Sequence, residues 1–178
     1  MYSYETLVAE LQKQGINYLS PSDAKGSETI NSNEDLLLAI INQTESRLKL
    51  ALVILFIRQN NFTPSVVELV KKLPASQALE LQILYMAAAY LQRLWWTSLG
   101  FYLDNLTHLP DLYSQSLQLP STEERFGKVG LAMLAEKWSA QSNYLFNRLA
   151  SLNKTMDLFF EQLKLEQQRY EHLPHANG

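Results

Sequence analysis

The chain has 178 residues, 47% hydrophobic and 19% charged, a composition that supports a packed core and lies far from that of disordered chains. It contains no cysteine, which excludes a disulfide framework, a thiolate nucleophile and any Cys-ligated zinc or iron–sulfur centre. The net charge of −3 is unevenly placed: residues 1–45 carry seven acidic and two basic side chains (−5), residues 46–178 eleven and thirteen (+2). Lys71-Lys72 is the only adjacent basic pair, so the clustered basic face that displaces counterions from a duplex is missing and DNA binding is not expected.

This length fits one all-α domain spanning 1–178. The opening residues Met1 to Glu5 lack the basic start and apolar run of an export signal, so the cytoplasm is the expected location. The longest apolar runs, Leu50 to Ile57 and Ile83 to Leu91, fall short of the ~20 residues that cross a bilayer and read as buried helices, so no membrane partner is expected.

A first helix is expected from Tyr4 to Gln14, with Ser3 as N-cap, Leu7, Val8 and Leu11 on one face, and Gly15 as its stop. Residues 15–33 are rich in turn formers and read as a flexible connection. A second helix should run from Glu34 to about Asn42 and a third from about Glu45 to Gln59, with Thr44 as a cap between them. The third is apolar on every face, the mark of a helix in the middle of a core. Thr63-Pro64 opens a fourth that ends near Leu73, with Lys71 and Lys72 at the negative end of its dipole.

Ser76 should open a long central helix reaching about Leu106, roughly 45 Å at 1.5 Å per residue. Ala87-Ala88-Ala89 would let neighbours approach closely, and Gly100 is where a kink or an early end is expected. A loop with Pro110 and Pro120 follows, holding one short turn at 111–116. Ser121 and Glu124 have capping-box spacing and predict a helix whose stripe includes Phe126, Val129 and Met133. Leu145, Leu149, Leu152, Met156, Phe159 and Leu163 then alternate in steps of four and three, the seam of a long C-terminal helix over about 143–171. Residues 172–178 should fray. No stretch shows sustained period-two alternation, so the expected architecture is a bundle of about six to seven helices.

The search for chemistry is mostly negative, with no Gly-rich phosphate loop, no Gly-x-Ser-x-Gly elbow and no His-Glu-x-x-His pair. Catalytic residues, cofactors and bound metals are therefore all expected to be absent. Asp104 and His108 are four apart and would share a helical face, while Glu171, His172 and His175 cluster at the tail; both groups read as surface contacts. Arg93 beside Trp95 and Trp96 is the most suggestive cluster, because a guanidinium with aromatic planes can stack bases, line a pocket or face a partner. Tyr85 and Tyr90 share that helix and that ambiguity, and Trp138 is expected in the core.

Between Leu81 and Leu134 the stretches LYMAAAYLQRLW, LPDLYSQSLQLP and ERFGKVGLAML resemble an uncharacterised group of bacterial all-helical proteins. The resemblance implies helical partners of small nucleotidyltransferases and, more distantly, the helical-bundle nucleotide-binding (HEPN) domains of toxin–antitoxin pairs. HEPN ribonucleases carry an arginine followed after four to six residues by a histidine. Here Arg148 is followed five positions on by Asn153, which leaves partner binding open and puts ribonuclease activity in doubt.

Three functions follow as expectations. The first is a non-catalytic helical interaction protein, a dimer or the partner of another protein. The second is a HEPN-like protein that binds nucleotide or RNA, with Arg93, Arg148 and Asn153 as binding residues. The third is a bundle with a small-molecule pocket beside Trp95 and Trp96.

Overall fold

The computed structural model describes residues 1–19, 28–141 and 147–172. The expected seam residue Leu145, His175, and parts of the 15–33 connection and of the C-terminal tail lie outside the described residues.

Among the described residues there are eight α-helices and no strand: α1 (Tyr4–Lys13), α2 (Asn33–Ile41), α3 (Ser46–Arg58), α4 (Thr63–Lys72), α5 (Ala75–Leu94), α6 (Trp96–Tyr102), α7 (Lys128–Gln141) and α8 (Arg148–Glu171). The Ser3 hydroxyl caps α1 by accepting from the Thr6 amide, as the sequence predicts. Ser32 does the same for α2 through Asp35, so the helix begins one residue before the expected start. At α3 the cap position is Glu45 rather than Thr44, and no side chain bonds there.

The core is built around α3 and α5. Ala51 to Ile57 and Ile83 to Gln92 are buried without interruption, so both helices are enclosed on every side. Around them α5 packs on α3, α4 and α7, while α8 packs on α3, α6 and α7. The C-terminal seam is present: Leu152, Met156, Phe159 and Leu163 are buried and Leu149 is half-buried. Its helix opens at Arg148 instead of near 143, because Asn147 leaves helical geometry and caps it, accepting from the Ala150 amide.

Ile16 and Leu19, inside the stretch read as a connection, are buried in the same core. Gln162 of α8 secures this segment, its amide nitrogen donating to Gly15 O and its oxygen accepting from Asn17 N, each at 2.7 Å. Glu166, one turn on, receives both ends of the Arg58 guanidinium at 3.0 and 3.1 Å, joining α8 to α3.

Two expectations are corrected. The long helix over 76–106 breaks at Trp95 (φ −106°, ψ 21°) and finishes at Tyr102; Gly100 sits inside α6 and neither kinks nor ends it. The break lets α6 leave the axis of α5 and bury Leu99 while resting on α8. The Ser121–Glu124 capping box does not form either. The Ser121 hydroxyl accepts from Glu123 N, and the chain then passes through left-handed geometry at Arg125, Phe126 and Gly127, so α7 starts at Lys128. The cause is close packing: a Cβ on Gly127 would lie 2.6 Å from Tyr90 O, and one on Gly130 would lie 2.1 Å from the Tyr90 ring. Those two glycines let α7 cross α5 at Tyr90, and the predicted stripe rotates away. Phe126 and Met133 are exposed, and Leu131, Leu134 and Trp138 face inward instead.

No single described helix is long and apolar enough to cross a membrane; the one pair that passes on composition, Ser46–Arg58 with Asn60–Lys72, is bent by 107°.

Candidate functional site

The C-terminal half of α5 and the break at Trp95 carry Tyr85, Tyr90, Arg93, Trp95 and Trp96. Their fates divide sharply. After Tyr102 the chain runs without regular helix to Glu123, and its buried backbone groups need partners that it cannot supply itself. Helix α5 supplies them. The Tyr85 hydroxyl donates to Pro110 O at 3.0 Å and the Tyr90 hydroxyl to Pro120 O at 2.7 Å. Gln92, fully buried, donates to Thr107 O at 2.9 Å and accepts from Leu109 N at 2.8 Å. Burial pushes the Tyr85 hydroxyl up to about 12 and the Tyr90 hydroxyl higher still, so both remain donors throughout the physiological range.

Arg93 completes the attachment. Its Nε donates to Glu123 at 2.7 Å, and its Nη2 donates to Leu109 O at 3.2 Å. The guanidinium side chain is only 9% exposed, which leaves it no free face for a base or phosphate. The hydrogen bond from Arg93, together with its charge, holds the Glu123 carboxyl below the ordinary carboxylate range. Within the loop, Asp111 accepts from the amides of Ser114 and Thr122 and from the Ser114 hydroxyl, shaping the hydrogen-bonded turns at 113–118 near where one turn was expected. Arg93, Tyr85 and Tyr90 thus all bond the 103–123 loop.

The tryptophans have different partners, and Trp96 stays on the loop side with Arg93, which bonds Leu109 O next to His108. Trp96 is half-buried against the His108 ring, with centroids 3.9 Å apart. Trp95 turns to the opposite side, keeps 37% of its surface exposed and meets Phe160 of α8 edge to face at 5.6 Å. Tyr102, two turns further along α6, is tilted against the same Phe160 at 6.3 Å. Together these three rings line an open cleft of about 410 Å³ between α6 and α8, closed on the α8 side by Asp157, Glu161 and Lys164. Among the described residues none of those three charged side chains forms an ion pair, although the helix spacing would allow Glu161 to reach Lys164. Phe101, 69% exposed, flanks the cleft and packs edge to face on Tyr102.

The other expected groups do not converge. Asp104 and His108 share no helical face, because α6 ends at Tyr102 and both stand exposed in the loop. Glu171 and His172 are exposed at the end of α8. Arg148 stacks over Trp138, its Cζ 4.5 Å from the ring centroid, near Glu80 at the N-terminal end of α5; partial burial lowers its pKa. Glu80 and Arg93 are thirteen residues apart on α5, ~20 Å along its axis, so Arg148 and Arg93 sit beside different parts of that helix. Asn153 is exposed on α8, five residues on from Arg148 and so on a different face of the helix. Among the described residues no group of three or more His, Asp or Glu side chains could hold a metal ion.

The residues that sequence reading missed include Asp111, whose partners lie within its own loop, and Gln92, Tyr102, Phe160, Asp157 and Glu161, whose neighbours arrive from other parts of the chain. Phe160 carried a faint signal, since it sits one step off the seam beside Phe159 and must project from the side of the helix. Gln92 carried one as well, an amide directly after the apolar run from Ile83 to Leu91.

No protein-family model matches the chain, and no curated protein and no solved structure matches it.

Proposed function

We propose that this protein is a non-catalytic helical interaction module that docks a segment of a partner protein in the cleft between α6 and α8. The observation that carries the reading is the contrast in use of polar and aromatic groups around α5 and α6. Tyr85, Tyr90, Gln92 and Arg93 are consumed in holding the 103–123 loop, whereas Trp95, Tyr102 and Phe160 line a groove open to solvent, with Phe101 beside it. Aromatic rings supply large contact area at low entropic cost, and interface centres are enriched in them. The cleft is open to solvent along its length, a form that suits a few side chains presented by another chain better than an enclosed ligand.

A HEPN-like protein that binds nucleotide or RNA would need Arg93 and Arg148 in one groove. Their separation, and the engagement of Arg93 by Glu123 and Leu109, favour the interaction reading over that one.

The test places a photoreactive phenylalanine analogue at Ser98, which lines the cleft, and at Ser116, exposed on the distant loop. Irradiation of cells should give one discrete adduct from Ser98, lost in Trp95→Ala, and none from Ser116. An adduct of twice the chain mass would identify the partner as a second copy. Absence of any Ser98-specific adduct overturns the reading, as does turnover of RNA or nucleoside triphosphate that disappears in Arg148→Ala.

A further inference from the structure

We infer that the group received by the α6–α8 cleft is an arginine side chain of the partner; this rests on the reading just given. The cleft has two kinds of wall. One is aromatic, with Trp95 at 67° and Tyr102 at 55° to the Phe160 ring, so that ring faces and edges are presented in more than one direction. The other is the α8 surface, where Asp157 and Glu161 stand one turn apart without an ion pair among the described residues. Carboxylates beside exposed ring faces are complementary to a cation, through the ring quadrupole and through direct charge.

Three features select the guanidinium. It is planar and weakly hydrated, so it can leave water to lie on an aromatic face, whereas an ammonium is compact and strongly hydrated. Its fork of donors can reach a carboxylate while the plane is stacked. A single bound cation also satisfies the local charge. Asp157, Glu161 and Lys164 sum to −1, with Lys164 one turn beyond Glu161 and two turns beyond Asp157. Acidic or neutral polar partners would meet the two carboxylates and an apolar wall, with only Lys164 to favour them.

The experiment titrates the full chain with three capped tripeptides, Gly-Arg-Gly, Gly-citrulline-Gly and Gly-Lys-Gly, and follows the indole N–H resonance of Trp95, assigned by its loss in Trp95→Phe. Citrulline keeps the shape and plane of arginine without the charge, and lysine keeps the charge without the plane. The arginine peptide should shift the Trp95 signal and bind roughly tenfold more tightly than either control. Asp157→Asn with Glu161→Gln should reduce that preference toward unity while leaving the spectrum folded, since both side chains are exposed. Equal binding of arginine and citrulline, or of arginine and lysine, overturns the inference while leaving a protein-docking cleft intact. No Trp95 shift with any peptide also overturns it, and a persisting Ser98 adduct would then show that only the ligand class was wrong. Loss of the adduct together with retained arginine binding would instead remove the partner-protein reading.

Discussion

The loop over 103–123 and the cleft between α6 and α8 grow from the same few residues at the end of α5, yet one is closed and the other open. On the loop side, Tyr85, Tyr90, Gln92 and Arg93 spend their donors and acceptors on backbone groups and on Glu123. On the cleft side, Trp95 and Tyr102 each meet Phe160 and leave a groove lined by carboxylates that form no ion pair among the described residues. The difference shows where to look for function in a helical bundle. Irregular backbone that packs on a core has to be hydrogen-bonded, and the polar side chains of the nearest buried helix are recruited for that purpose. Side chains that no such demand explains remain available for a partner.

This contrast can be broken by mutation. Gln92→Leu keeps nearly the same volume but leaves Thr107 O and Leu109 N without their buried partner, each unsatisfied group costing roughly 1–3 kcal/mol. A loss of about 2–4 kcal/mol in chemical denaturation is expected, accompanied by faster proteolysis within 103–123. A loss below ~0.5 kcal/mol would mean that the loop is not held by α5.

Trp95→Ala should cost about 1–3 kcal/mol, because most of the indole surface is buried, with its ring contact on Phe160. Its binding phenotype should be complete, and proteolysis within 103–123 should stay at the wild-type rate. If Trp95→Ala sped that proteolysis as Gln92→Leu does, cleft and loop would not be separate and the contrast would fail.

The smallest expected effect concerns pH. The Glu123 carboxyl is held below its ordinary range in the folded chain, chiefly by the hydrogen bond from Arg93. A depressed carboxylate adds stability above its unfolded pKa, near 4.3, and that contribution is lost as pH falls through the lower folded value. Glu123 is largely exposed, so the amount should stay below ~1 kcal/mol. Comparing wild type with Glu123→Gln by thermal denaturation at pH 7 and pH 3 should show a difference at pH 7 that shrinks at pH 3. An unchanged difference would separate the Arg93–Glu123 contact from the attachment of the loop.

Much of the fold was legible residue by residue. Ser3 before Tyr4, the alternating Leu152, Met156, Phe159 and Leu163, and the all-apolar run of α3 report on local geometry, because helix caps and helix periodicity are properties of neighbours four residues apart. The same logic misled at Ser121. Its capping-box spacing is a local signal, overruled by the approach of Gly127 and Gly130 to Tyr90, more than thirty residues earlier in the chain. The candidate site was half legible. Trp95 stood out by composition, but its companion Phe160 and the acidic edge at Asp157 and Glu161 come from another helix, α8.

The sequence by itself determined that the chain is helical and which stripes of most helices turn inward, since backbone hydrogen bonding and apolar periodicity act over a single turn. Only the tertiary structure decided that the helix after Ser76 breaks at Trp95, that Arg93 belongs to the loop and that Trp95 belongs to the cleft. Those outcomes depend on which distant groups arrive beside each side chain, Glu123 and Leu109 on one side and Phe160 on the other, and no local pattern encodes that arrival.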